Sequence, residues 1–407
     1  PSMYGPFANY FVKYIQAYEA AGIPTDYISL QNEPLYVPTD YPGMSMDSET
    51  QTILLRDHVL PALSANGIST RVLIYDHNWD QPDYPDTVLM DPVLLASSRI
   101  AGTAWHGYGG TSGVMFPFHN LYPGKGNYQT ESSGGTWVGD QVKADFEIIT
   151  QAMRSWCKTF VKWNLALDQN RGPHTGGGSS CNPLVTVSNP SGAVTYAIDY
   201  YTLGHFSKFV LPGASRIYSS NGAGIVTAAF TNPDGSKALV AFNDLRTSVT
   251  FQVRWGNQSF SYSLAGLSGA TFTWSGTQNG GYTVNARSKT QASSFNDLSG
   301  LRTEVTTDTV GGYNVGYSDD GDYAVYQSID FGSGVAAVDV RVASPASVGR
   351  LEFHLDGPTG PLIGSVVIPN TGGWQRWKTV STSASGATGV RTLYAVFKGT
   401  QPGAVNI

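Results

Sequence analysis

Tyr27-Ile28-Ser29-Leu30-Gln31-Asn32-Glu33-Pro34 reads as a short apolar strand that stops abruptly. Pro34 has no backbone N–H to give to a ladder, so it ends the strand and projects Glu33 into the loop beyond. Upstream, residues 7–21 carry Phe11, Ile15 and Tyr18 at helical spacing and stop at Gly22 and Pro24. Downstream, Asp47 or Ser48 caps a predicted helix over 48–65, Gly67 ends it, and Val72-Leu73-Ile74-Tyr75 follows as the next strand. The alternation continues, with strands expected over 101–106, 127–130 and 159–164 and helices over 139–157 and 197–210. Strand and helix in regular alternation predict an α/β parallel sheet with crossover helices across residues 1–212.

Beyond that point helix signals vanish. Residues 213–275 read as short strands broken by Asn232-Pro233-Asp234-Gly235, the pattern of a small β-sandwich. The polar, glycine-rich residues 276–281 read as a linker. Residues 282–407 read as a second β-sandwich, with alternating strands expected near 336–342, 351–355 and 393–397.

The chain has 407 residues, 41% of them apolar, and no uninterrupted apolar run of the ~18 residues that a membrane span needs. Charged residues are only 13%, while Gly (47), Tyr (23) and Trp (9) are abundant. The net charge of −6 comes with no basic stripe, which argues against a nucleic-acid partner. A neutral polar surface rich in aromatic rings suits neutral polyhydroxylated ligands, whose apolar ring faces stack on Tyr and Trp, though ligand-free Gly- and Tyr-rich β-proteins share it. Cys157 and Cys181 stand outside any CxxC motif, and spacing alone leaves open whether they pair or stay free.

Glu33 and Glu131 each follow a buried strand, at the end where barrel active sites gather. Glu131 closes Tyr128-Gln129-Thr130-Glu131 before running into Gly134-Gly135. Two such carboxyls on one rim suffice for glycoside hydrolysis, one protonating the leaving oxygen and the other attacking the anomeric carbon; two solvated loop glutamates would read the same way. Their company favours chemistry: Asp76-His77-Asn78-Trp79, Trp105-His106-Gly107-Tyr108 and Trp163-Asn164 also lie at strand ends. No HExxH, GxSxG, P-loop or GxGxxG pattern anchors a metal, serine, phosphate or dinucleotide chemistry.

Four segments in this order, Gln31-Asn32-Glu33-Pro34-Leu35-Tyr36, Tyr128-Gln129-Thr130-Glu131, Trp163-Asn164-Leu165-Ala166-Leu167-Asp168 and Tyr200-Tyr201-Thr202-Leu203-Gly204-His205-Phe206, resemble glycoside hydrolase family 30 over roughly residues 1–275. The resemblance implies Glu33 as acid/base, Glu131 as nucleophile, and Asn32, His106, Tyr108 and Trp163 with Asn164 as walls of the sugar subsite. It implies a retaining double displacement without a catalytic cofactor, with carboxyls about 5–5.5 Å apart, Glu33 protonated and Glu131 ionised. It places Glu33 on the fourth strand of a (β/α)8 barrel. The chain is then expected to hold the last five barrel strands of a longer secreted, extracellular and monomeric enzyme, and to fold poorly alone.

Residues 282–407 resemble carbohydrate-binding module family 6 through Gly316-Tyr317-Ser318-Asp319, Gly372-Gly373-Trp374-Gln375 and Leu393-Tyr394-Ala395-Val396-Phe397. This implies sugar contacts from Tyr317, Trp374 and Asn406. A structural calcium is also implied, with Glu304 as a ligand, although Ser293 stands where the family usually has an acidic residue. The expected partner is a polysaccharide, with neither nucleic acid nor membrane. β-1,6-glucan is the preferred substrate, with glucosylceramide, β-1,6-galactan and xylan as alternatives, and a non-catalytic sugar-binding protein as the other class.

Overall fold

The computed structural model describes residues 2–174 and 180–407. Contacts gather the chain into two compact units, one running to Val138 and resuming over Ser155–Ala197, the other combining Gly139–Arg154 with Ile198–Ile407.

The first unit is built on an open sheet of five parallel strands, Tyr27–Ile28, Arg71–Asn78, Ile100–His106, Gly126–Glu131 and Cys157–Phe160, side by side in chain order. Consecutive parallel strands demand crossovers, and the helix Asp83–Leu89 lies in the one between the second and third strands, while the helix Tyr4–Ala20 precedes the first strand. A further crossover is continuous from Ser48 to Ala65, with its middle turns over Leu54–Val59 in π geometry. Of the two candidate caps, Asp47 takes the role: its Oδ1 accepts from Thr50 N at 2.7 Å. Ile74, Tyr75, Trp105, Leu55 and Leu63 are fully buried between sheet and helices. Gly102 is required where strands crowd, because a Cβ there would lie 1.9 Å from the Gly126 carbonyl oxygen.

The first strand is shorter than its apolar run. After Ile28, Ser29 Oγ donates to Asp76 Oδ2 at 2.5 Å and Glu33 N donates to the Asp76 carbonyl at 3.0 Å, so side chains and loop bonds replace the ladder. The fifth strand ends at Phe160 rather than near 164, because the Trp163 N–H turns to the Ser132 carbonyl at 2.8 Å.

The second unit is β-rich. Strands Ser215–Ile217, Ile225–Thr231, Lys237–Asn243 and Ser268–Trp274 form an antiparallel sheet in that order, and Val249–Trp255 pairs with Gln258–Leu264 as a hairpin. The helix Gln141–Arg154, expected among the barrel crossovers, makes its contacts in this unit. Phe146 stacks on Phe242 with ring centres 4.9 Å apart, and buried Arg154 donates to the carbonyls of Ser219, Thr227 and Ser293 at 2.8, 3.1 and 2.7 Å. Among the described residues, fixed carbonyls and the Ser219 hydroxyl satisfy the guanidinium, and no carboxylate takes part. The glycine-rich stretch read as a linker is tied to the hairpin, since Asn257 N donates to the Asn279 carbonyl at 2.8 Å. The C-terminal sandwich has one large sheet ordered Val284–Asn285, Tyr323–Asp330, Val390–Lys398, Arg350–Leu355 and Leu362–Val367, faced by shorter pairs such as Ala337–Val342 with Lys378–Ser383.

Candidate active site

Three local distortions of the parallel sheet build the site. Glu33 takes φ +47°, in the left-handed region, directly before Pro34, whose ring disfavours the right-handed helical region there. Tyr75 and Asp76 both have positive φ, +72° and +77°, at a register shift between the second and third strands. That bulge re-aims the Asp76 side chain within the rim. A second shift, between Trp105 and His106, brings His106 opposite Glu131.

The result is a charged chain. His106, 1% exposed, contacts Glu33 Oε1 through Nδ1 at 3.0 Å and Asp76 Oδ1 through Nε2 at 3.1 Å. Burial works against a charged ring, but the two carboxylates outweigh it and raise His106 to about 9, so at neutral pH both nitrogens donate. Asp76 also accepts from Ser29 Oγ and, at 2.7 Å, from Thr130 Oγ1. Burial would raise its carboxyl, yet the His106 ion pair and the hydroxyls hold it below the ordinary range. Glu131 lies beside the chain: its Oε1 is 3.9 Å from His106 Nδ1 and accepts from Tyr108 Oη at 2.9 Å. One oxygen of Glu33, one nitrogen of His106 and one oxygen of Glu131 all fall within 4.8 Å of one another.

The proton order differs from the expected one. The His106 hydrogen bond holds Glu33 below its ordinary value, while burial lifts Glu131 above its own. In the unliganded chain the imidazolium partners Glu33 most closely, so the proton that Glu33 would give sits one hydrogen bond away on His106 Nδ1.

Of the expected sugar-site walls, His106 is buried within the chain of charges, whereas Asn32 is exposed beside Glu33 and Tyr108 is exposed while bonded to Glu131. Trp163 is half-exposed and held to the Glu131 loop through its backbone N–H. Asn164 accepts from Leu184 N through its carbonyl at 3.0 Å, and its side-chain oxygen is buried without a hydrogen-bond partner among the described residues. Asp76 is the group that residue spacing missed as a member of the site. Its signal was its place in Asp76-His77-Asn78-Trp79 at a strand end, but only the bulge reveals which way it faces. Cys157 and Cys181 are unpaired: Cys157 is buried, receives Gln129 N at 3.3 Å, and has its thiol pushed up to about 12 by burial.

In the C-terminal sandwich, Tyr317, Trp374, Asn406 and Glu304 come together. Trp374 is 55% exposed with Nε1 donating to the Gly403 carbonyl at 2.9 Å, and Tyr317 is 41% exposed. Asn406 is buried, and its Nδ2 donates to Glu304 Oε1 at 2.7 Å and to the Trp374 carbonyl at 2.8 Å. Glu304 Oε1 also accepts from Gln375 Nε2 at 3.0 Å and Asn314 Nδ2 at 3.2 Å. Gly316 has to be glycine, because a Cβ would lie 2.0 Å from Asn406 Oδ1.

These residues do not fit the expected calcium. One Glu304 oxygen is already surrounded by three amide donors, and the Ser293 carbonyl takes the Arg154 guanidinium while its hydroxyl accepts from Asn221 Nδ2 at 3.1 Å. Glu304 belongs to the aromatic cleft instead.

Comparison with known proteins agrees with this division. Residues 291–407 match carbohydrate binding module family 6, and residues 213–272 match the β-sandwich domain of glycosyl hydrolase family 30. The endo-1,6-β-D-glucanase BGN16.3 of Trichoderma harzianum is 39% identical over 251 residues, 58% of this chain and 49% of that protein. The endo-1,6-β-D-glucanase neg1 of Aspergillus fumigatus is 37% identical over 277 residues, 63% of this chain and 54% of that protein. The solved structure of the endo-β1,6-glucanase BT3312 superposes with a TM-score of 0.63 at 33% identity, covering 68% of this chain and 64% of that one. The chain thus spans about half the length of the curated relatives it matches. Residues 2–210 match the TIM-barrel domain of glycosyl hydrolase family 30, and with half of its length in that match the chain belongs to this family.

Proposed function

We propose that the chain carries the catalytic pair of a retaining glycosidase that cleaves β-1,6-linked glucan. The observation that carries the reading is the Glu33–His106–Glu131 cluster, whose reactive atoms lie within 4.8 Å. That closeness suits the ~5–5.5 Å carboxyl spacing of retaining enzymes rather than the ~6.5–9.5 Å of inverting ones, which need room for a water.

In the first step a Glu131 oxygen attacks the anomeric carbon from the face opposite the leaving group. The glycosidic bond breaks, its electron pair moves to the leaving oxygen, and that oxygen takes a proton handed to Glu33 by His106 Nδ1 over 3.0 Å, which leaves Glu33 ionised and His106 neutral. The Tyr108 hydroxyl holds Glu131 Oε1 in line. In the second step Glu33 takes a proton from water, the water oxygen attacks the same carbon, and the Glu131 ester bond breaks. Two inversions leave the anomeric configuration retained.

The glucan linkage rests on similarity to endo-1,6-β-glucanases at 37–39% identity. The polymeric substrate rests also on the sugar-binding module, and it makes an extracellular, monomeric enzyme the fitting setting. No helix among the described residues is long and apolar enough to cross a membrane.

Incubation with β-1,6-glucan, β-1,6-galactan, xylan and an aryl β-glucoside side by side tests this. Fastest release from β-1,6-glucan, with the β-anomer appearing first by NMR, is the expected result. No release from any of the four would sink the catalytic reading and leave a sugar-binding protein.

A further inference from the structure

We propose that the loop over residues 34–46 forms the leaving-group half of the catalytic site, with Tyr41 and Tyr36 receiving the ring of a neutral hexopyranose that departs. This deepens the glycosidase reading above and rests on it.

The loop is closed at its neck, where Met46 N donates to the Pro34 carbonyl at 2.9 Å, and is pinned where the Tyr84 hydroxyl donates to the Met46 carbonyl at 3.0 Å. A loop of this length whose ends meet is a compact surface element rather than a trailing strand end. It begins at the proposed acid: Gln31, Asn32, Glu33, Tyr36, Pro38 and Tyr41 line one small recess. An acid that protonates the leaving oxygen has the leaving sugar on its own side, so a recess containing Glu33 faces that sugar.

The lining chemistry suits a pyranose. Tyr36 and Tyr41 are 49% and 44% exposed, and aromatic faces beside a carboxyl and two amides offer stacking together with hydrogen bonds to hydroxyls. The Tyr41 phenol lies near enough to the catalytic carboxylates to feel both: burial and the charges of Glu33 and Glu131 raise it above its ordinary value. Residues 31–46, Gln-Asn-Glu-Pro-Leu-Tyr-Val-Pro-Thr-Asp-Tyr-Pro-Gly-Met-Ser-Met, contain no Lys, Arg or His, and their two ionisable carboxyls are Glu33 and Asp40. An anionic substituent on the leaving residue would meet like charge, and these residues offer no cation to receive it.

The test compares two donors that share the same glycosyl part, a β-1,6-gluco-oligosaccharide and a dinitrophenyl β-gentiobioside. The ratio of kcat/KM for the oligosaccharide over that for the aryl glycoside is measured for the wild-type chain and for Tyr41→Ala, Tyr41→Phe and Tyr36→Ala. The ratio is expected to fall about tenfold or more in Tyr41→Ala and less in Tyr41→Phe, which keeps the ring. The share of glycosyl product transferred to an added glucoside acceptor should fall in the same order. An unchanged ratio in Tyr41→Ala and Tyr36→Ala would overturn the assignment. An oligosaccharide whose leaving glucose carries a 3-O-sulfate should be cleaved at least about tenfold more slowly than its neutral counterpart, and equal rates would overturn the neutral specificity. Wild-type inactivity on both donors would instead overturn the glycosidase reading itself.

Discussion

Glu33 and Glu304 are the same residue in two kinds of cradle. Glu33 meets a cation, His106, which is itself held by a second carboxylate, Asp76. Glu304 meets three neutral amides, from Asn314, Gln375 and Asn406. Amides donate to a carboxylate but exchange no proton with it near neutral pH, so the Glu304 cradle shapes a surface and does no acid–base work. An imidazolium donates and can also part with its proton, so the Glu33 cradle stores what a general acid must spend. One arrangement can move a proton, and the other can only hold its neighbours in place.

The largest break in this comparison should come from Glu131→Gln, which removes the attacking oxygen. Turnover of β-1,6-gluco-oligosaccharides is expected to drop by about 10⁴-fold or more, read as kcat with binding measured separately. His106→Asn keeps a hydrogen-bond donor but loses the stored proton. A fall of about 10²–10³-fold in kcat is expected, together with displacement of the pH limb that reports the acid, and a loss of rate with an unmoved profile would reduce His106 to a spacer.

The same contrast predicts how stability follows pH. His106 is raised to about 9 in the folded chain, so its contribution is fully present below its unfolded value of about 6.5 and is lost as pH climbs through about 9. Glu33 and Asp76 are lowered, so theirs is present above the ordinary carboxylate range and lost as pH falls through their depressed folded values. Thermal melting from pH 2 to 10 should show both declines, and His106→Asn should flatten the alkaline one.

In the module, Trp374→Ala is expected to lower affinity for soluble β-glucan about tenfold in affinity electrophoresis. Smallest of all, Glu304→Gln sets an amide where one oxygen served three donors, and about 1 kcal/mol of stability should go, seen as a lower melting temperature of the second unit. A Glu304→Gln chain as stable as wild type would remove the distinction between the two cradles on the side of the module.

Much of this was legible beforehand for a physical reason. Buried parallel strands need apolar runs and crossover helices need a 3.6-residue period, so the segments around Ile74 and Trp105 and the helix after Asp47 appear in residue order itself. Pro34 after Glu33 and the glycines after Glu131 mark strand ends for the same local reason. The helix Gln141–Arg154 shows the limit: its period told that it is a helix, but not that Phe146 would stack on Phe242 and Arg154 would find its carbonyls in the second unit.

The sequence by itself determined the element types, the two glutamates at strand ends and the aromatic character of both sites, because each follows from the chemistry of neighbouring residues. Only the tertiary structure decided that Asp76 joins His106, that His106 stands between Glu33 and Glu131, and that Glu304 serves Asn406 rather than a metal. Those outcomes turn on a bulge at Tyr75–Asp76, on register between strands, and on side chains about 30 to 100 positions apart meeting within 3.9 Å, as Asp76 meets His106 and Glu304 meets Asn406. Such long-range geometry leaves no periodicity for a linear reading to detect.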